Sequence, residues 1–158
     1  MNLPPFQRLV DNHWRDVARL ARALAGPVDG DDVAQQAWAQ AYAAYPGLTS
    51  ARNLRGWLLT ITHRCAMDVH RSRGRRAVPT DDETVLAGSA SVDGPDVGLV
   101  DTELWERVAR LPERQREAVV LKYVGDLDHP AIAELLGTTP TMSRRLVSDG
   151  LRNLRASA

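Results

Sequence analysis

Arginine gathers at two places in this 158-residue sequence. One is the run Arg64, Arg71, Arg73, Arg75 and Arg76, accompanied by His63 and His70, with Asp68 as the nearby acid. Cations at this density suit phosphate, because each one placed beside a nucleic-acid backbone releases condensed counterions. Asn53, Arg55 and Trp57 stand just upstream. An aromatic close to a basic surface can stack on an unpaired base, although a helical Trp beside a leucine is more often core. The second place is Arg144 and Arg145, in the company of Thr139, Thr141, Met142 and Ser148. Arginine forks onto guanine in the major groove, and small hydroxyls bond to either kind of base pair. Both clusters point to nucleic acid. The plainer reading of each, taken alone, is a solvated helix face.

The second cluster is positioned by a recognisable pair of helices. His129–Leu136 and Pro140–Arg155 each carry an apolar stripe, and Gly137-Thr138-Thr139 joins them. Gly137 suits a left-handed helix end, Thr139 suits a cap, and Pro140 suits a first turn where its missing N–H costs nothing. Val147, Gly150, Leu151 and Leu154 follow helical spacing and face inward, leaving Thr141, Arg144, Arg145, Ser148 and Arg152 elsewhere. Two helices joined by so short a turn have the layout of a helix-turn-helix, whose second helix begins in the major groove. Two shorter helices precede them. Leu104, Trp105, Val108 and Leu111 form one that stops before Pro112, and Glu113–Val124 forms the other.

Three helices are expected to carry the first cluster. Leu9, Val10, His13, Trp14, Val17, Leu20, Ala21 and Leu24 make one apolar face, ended by Gly26-Pro27. Asp29 or Asp31 is the expected cap of a second, through Val33, Ala34, Ala37, Trp38, Ala41 and Tyr42 to Pro46-Gly47. The third buries Leu54, Trp57, Leu58, Ile61, Cys65, Met67 and Val69 and runs out into the arginines. Nothing reads as a strand pair, so the expected fold is all-α.

The formal net charge of zero conceals a segregation. Residues 1–79 carry eleven Arg against six Asp, residues 80–106 eight acids and no base, and residues 107–158 nine bases against six acids. For binding, the local field matters more than the average. The stretch 80–103 is rich in Asp, Gly, Ser and Thr without sustained period, and reads as a flexible acidic linker. It divides the chain into domains of residues 1–79 and 104–158. One cysteine excludes an internal disulfide, and the scattered His13, His63, His70 and His129 form no usual zinc pair. No phosphate loop or nucleophile elbow appears, so neither a catalytic residue, a metal, a cofactor nor a small-molecule substrate is expected. With no apolar run long enough for a membrane helix and no signal-peptide pattern at the start, the expected location is the cytoplasm.

Three segments in order make the pattern specific. Asp32-Val33-Ala34-Gln35-Gln36-Ala37-Trp38, then Leu54-Arg55-Gly56-Trp57-Leu58 with Ala66-Met67-Asp68-Val69-His70-Arg71, then Leu111-Pro112-Glu113-Arg114-Gln115-Arg116-Glu117-Ala118 resemble the extracytoplasmic-function sigma factors of the sigma-70 family. The resemblance covers nearly the whole chain except the linker. It implies a region 2-like bundle, a region 4-like helix-turn-helix domain, and a role in promoter recognition without catalysis. It assigns Asp32, Gln35 and Gln36 to the RNA polymerase core. Residues 46–54 and 63–71 fall to the minus-ten promoter element, and 139–148 to the minus-thirty-five element.

The chain departs from the family pattern at several positions. Gln36 stands in place of an acid and Arg64 in place of Asn. Ser143 replaces an apolar residue, and Leu146 and Asp149 replace basic ones. A sigma-like DNA-binding regulator or anti-sigma decoy that does not start transcription is therefore a second reading. An anti-sigma factor is a further candidate partner under either.

Overall fold

The computed structural model describes residues 3–76 and 102–157, with the backbone alone given for residues 73–76 and for Thr102. The chain divides into two compact units, Met1–Val97 and Gly98–Ala158. The described residues form helices joined by short turns and loops, with no strand among them, in keeping with the all-α expectation. Most of the acidic stretch 80–103 lies outside the described residues.

In the first unit a 39-residue helix, α1 (Phe6–Ala44), bends at Gly26, whose φ of 90° and ψ of 168° are far from helical. Glycine is the residue that takes such a conformation without steric penalty. The expected break is therefore where Gly26-Pro27 placed it. The expected caps are not. Helix resumes at once from Pro27, whose fixed φ is pre-organised for a first turn. Asp29 and Asp31 lie inside the helix as a result. There they face the positive end of the helix dipole rather than cap it, and Asp31 pairs with Arg22 across the bend at 3.7 Å.

A 3₁₀ turn, Tyr45–Gly47, leads toward α2 (Leu54–Arg76). The two helices bury Leu9, Val17, Leu20, Ala21, Leu24, Val33, Ala37 and Ala41 against Leu58, Leu59, Ile61, Cys65 and Ala66. Each fully buried leucine contributes roughly 2 kcal/mol. Trp14, expected on the buried face, is 42% exposed. The Arg15 guanidinium sits 5.4 Å from its ring centre, which lets a large aromatic remain at the surface. Cys65 is fully buried, and burial pushes its thiol up, with Asp68 adding to the effect. It is held as a protonated small hydrophobe.

The described residues of the second unit form four helices, α3 (Thr102–Ala109), α4 (Glu113–Tyr123), α5 (His129–Leu136) and α6 (Pro140–Ala156). Helix α3 begins two residues before Leu104. Its core gathers Val108, Leu111, Ala118, Val119, Val120, Leu121, Ile132, Ala133, Leu136, Val147 and Leu154. Glu117, also buried, has an interaction partner. No helix among the described residues is long and apolar enough to cross a membrane.

Candidate nucleic-acid interface

Gly137 and Thr139 build the end of α5 and the start of α6 as the sequence led us to expect, and Asp128 adds a cap at the start of α5 that was not foreseen. Asp128 caps α5, its carboxylate accepting the Ala131 amide at 3.0 Å. Gly137 ends α5 in the left-handed conformation, φ 68° and ψ 41°, its own N–H satisfying the last carbonyls. Thr139 then caps α6, its hydroxyl accepting the Met142 amide at 3.1 Å. Each cap removes an orphan helix donor and contributes about 1 kcal/mol. This is a helix-turn-helix with its turn chemically fixed.

The stripe Ser143, Val147, Gly150 and Leu154 is buried. Opposite it, Thr139, Thr141, Met142, Arg144, Arg145 and Ser148 are all exposed, so the helix presents every predicted residue outward. Arg144 donates to the Thr141 hydroxyl at 3.4 Å. Asp149 is only partly exposed and its carboxylate lies 3.0 Å from Arg152 and 3.9 Å from Arg145. The acid is locally compensated, and the repulsion of phosphate expected from its charge is reduced.

Ser143 occupies an apolar slot yet is fully buried. Its hydroxyl meets Nδ1 of His129 at 2.9 Å, linking α5 to α6. A buried hydroxyl so partnered avoids the desolvation penalty of an orphan. Burial lowers the His129 pKa, Lys122 and Arg144 lower it further, and Asp128 opposes them.

The first cluster is arranged differently. Asn53, at φ 52°, turns its side chain onto the start of α2, where the carboxamide oxygen accepts the Gly56 amide at 3.1 Å. Arg55 is tied to Asp16 of α1 at 3.0 Å. Trp57 is half-buried, its ring centre 6.1 Å from that of Tyr45. Tyr45 in turn meets Phe6, which also stacks edgewise on Trp38 and Tyr42. This aromatic cluster escaped the sequence reading because Phe6 and Tyr45 are 39 residues apart and follow no local period.

His63 is 5% exposed and has an interaction partner. His70 sends Nε2 to the Leu24 carbonyl at 3.0 Å. A carbonyl can only accept, so Nε2 carries the hydrogen. Arg64 and Arg71 remain exposed, Arg71 beside Asp68 on the same helix. The backbone of α2 carries on through Arg73, Arg75 and Arg76, whose side chains lie outside those described. On α1, Asp32, Gln35 and Gln36 share one exposed face, while Val33, Ala37 and Ala41 face the core.

Known proteins share this arrangement. The family model for Sigma-70 region 2 matches residues 9–76, and that for Sigma-70 region 4 matches residues 101–154. This chain belongs to the sigma-70 family. Within it the relatives are of the extracytoplasmic-function kind. The ECF RNA polymerase sigma factor SigK of Mycolicibacterium vanbaalenii is 33% identical over 132 residues, covering 78% of this chain and 64% of the relative. The chain thus spans just under two thirds of that relative's length. RNA polymerase sigma factor SigV of Bacillus subtilis is 29% identical over 139 residues, covering 87% of this chain and 81% of the relative. In fold, the chain is similar to the sigma factor RpoE solved in complex with the anti-sigma factor NepR from Bartonella quintana. The TM-score is 0.76 at 21% identity, over 96% of this chain and 94% of that one. In sigma-70 terms, the region 2 match ends on the arginines of α2 and the region 4 match takes in α5 and α6 as far as Leu154.

Proposed function

We propose that this chain is an RNA polymerase sigma factor that brings the core enzyme to promoters and starts transcription without catalysing a reaction itself. The observation that carries the reading is the helix-turn-helix of α5 and α6, capped at both helix starts, with its basic and hydroxyl residues exposed on a sigma-70 chain. Thr139, Thr141, Met142, Arg144, Arg145 and Ser148 are its residues for the minus-thirty-five element.

On the minus-ten side Arg64, Arg71, Arg73, Arg75 and Arg76 supply phosphate contacts. Trp57 supplies an aromatic edge, while Asn53, Arg55, His63 and His70 support α2 from within the unit. Asp32, Gln35 and Gln36 form the face for the polymerase core. The domains are residues 1–79 and 104–158, joined by the acidic linker 80–103. An anti-sigma protein is a further partner of this reading, since RpoE and CnrH, both similar in fold, were solved bound to NepR and to the cytosolic domain of CnrY. The work is cytoplasmic and calls for no cofactor.

The test is co-elution of the purified chain with core RNA polymerase, followed by run-off transcription. A complex that initiates from selected promoters, with initiation lost on combining Arg71→Ala with Arg144→Ala, is the expected result. DNA binding by the wild type without any polymerase complex would overturn it. That outcome favours the free-standing regulator, with Gln36→Glu as the first reversion to make.

A further inference from the structure

Residues 48–53 join the 3₁₀ turn Tyr45–Gly47 to α2, and Thr49, Ser50, Arg52 and Asn53 among them are exposed. Within the loop the Ser50 hydroxyl accepts the Arg52 amide at 3.1 Å, and the Leu48 amide turns back to the Tyr45 carbonyl at 3.1 Å. These bonds shape the loop without fixing where it stands on the unit. A polar loop holds the edge of an unpaired base best when it is set in place beforehand, because ordering it on binding costs entropy.

A chain of rings sets it in place. Tyr45 stands just before the loop and Trp57 in the first turn of α2 just after it, with ring centres 6.1 Å apart, so the two ends of the loop are drawn together. Tyr45 is only 8% exposed. Phe6 meets it at 5.3 Å and lies edgewise to Tyr42 at 5.2 Å and to Trp38 at 5.9 Å, both on the second half of α1. The Tyr45 hydroxyl also donates to the Pro4 carbonyl. Pro4 and Pro5 restrict the backbone on either side of that carbonyl, so the acceptor is itself held. This arrangement lies at the rim of the unit and not in its core. Phe6, Trp38 and Trp57 are half-buried, whereas Leu9, Val17 and Leu20 of α1 pack with Leu58, Leu59 and Cys65 of α2 in the interior.

We propose that Phe6 and Tyr45 are positioning residues, which brace the loop 48–53 in the shape that holds an unpaired promoter base. The proposal rests on the sigma-factor reading. Both residues act through Trp57 and the first turn of the loop, and not by contact with DNA.

The experiment uses the full-length chain, first alone and then bound to core RNA polymerase. In the free chain, amide exchange at Leu48, Arg52, Gly56 and Trp57 is compared between the wild type, Phe6→Leu and Tyr45→Phe. Phe6→Leu removes three ring contacts and should speed exchange at these amides about tenfold. Tyr45→Phe loses only the bond to Pro4 and should speed it about threefold. Exchange across residues 58–66 should stay unchanged, which shows the core intact. Should Phe6→Leu loosen that core as well, Tyr45→Phe decides. In the polymerase complex the probes are the promoter on which run-off transcription starts, as closed duplex, and its minus-ten strand alone, unpaired. Affinity for the unpaired strand should fall by the same factors, with affinity for the duplex and for the core enzyme unchanged. A merely structural role would weaken all three together, and that result overturns the proposal. So does unchanged loop exchange, or strand affinity that holds while the loop loosens. A wild-type complex that does not bind the unpaired strand overturns the sigma-factor reading and takes the proposal with it.

Discussion

In the first unit the carbonyl left over at the Gly26 bend lies against a histidine 46 residues along the chain, in the next helix. In the second unit each start of the helix-turn-helix is capped by the residue immediately before it, Asp128 or Thr139. The first arrangement spends polar side chains on holding the helices together, so His70 and Arg55 point to structure as well as to charge. The second satisfies the backbone locally and leaves the outer face of α6 free for recognition. A helix that must present Thr141, Arg144, Arg145 and Ser148 to a ligand gains from caps that use none of them.

Core packing gives the largest expected effect on this difference. At Gly150 an added Cβ would stand 2.6 Å from Cγ2 of Val119, so α6 and α4 approach closely there. Gly150→Val should destabilise the second unit by about 2 kcal/mol through overpacking. Amide exchange should then accelerate across residues 113–154 and stay unchanged in α1 and α2. Equal acceleration in both units would show that their stabilities are not separable.

The next effect sits at the bend. His70→Leu removes the donor from the Leu24 carbonyl and should cost about 1–2 kcal/mol, while His70→Gln should recover much of it. Chemical denaturation of both variants reads this out. Identical losses would mean that ring packing, not the hydrogen bond, is what His70 supplies. Thr139→Ala and Asp128→Ala should each cost about 1 kcal/mol, with Thr139→Ser close to wild type. If neither alanine variant lowers the denaturation midpoint, local capping is not what secures the second unit.

These effects also mark how far the fold could be read from the chain. The turn of the helix-turn-helix and the bounds of its helices, to within a residue, were legible because their signals are local, although the Asp128 cap was not read. Gly137, Thr139 and Pro140 act within a turn of themselves, and Val147, Gly150 and Leu154 repeat at helical spacing. The bend at Gly26-Pro27 was legible for the same reason. What could not be read were pairings between distant segments. His63 and His70 look like members of a basic tract, and only the packing of α2 on α1 turns one into the core and the other onto a carbonyl. Asp16 beneath Arg55 and Phe6 beneath Tyr45 are of the same kind. On the candidate site, exposure of the α6 residues follows from periodicity, whereas compensation of Asp149 by two arginines needs side-chain geometry.

The smallest expected effect is a pH dependence confined to the second unit. His129 faces Ser143 on α6, Lys122 on α4, Arg144 on α6 and its own cap residue Asp128. Burial places its folded pKa below the ordinary 6.5 of an unfolded chain. As pH falls through that value the unfolded state takes up the proton first, so stability declines from there down to the folded pKa and is flat above. The histidine is only partly buried, and the slope should be shallow. Amide exchange over residues 129–147, compared at about pH 5.5 and about pH 7.5, should show faster opening at the lower value. His129→Gln keeps a partner for the Ser143 hydroxyl and removes the proton, so it should flatten the response without loosening the turn. Should the glutamine variant keep the full slope, the titrating group lies elsewhere. The Ser143–His129 bond would then be only what the C-terminal unit uses to place a hydroxyl in an apolar slot.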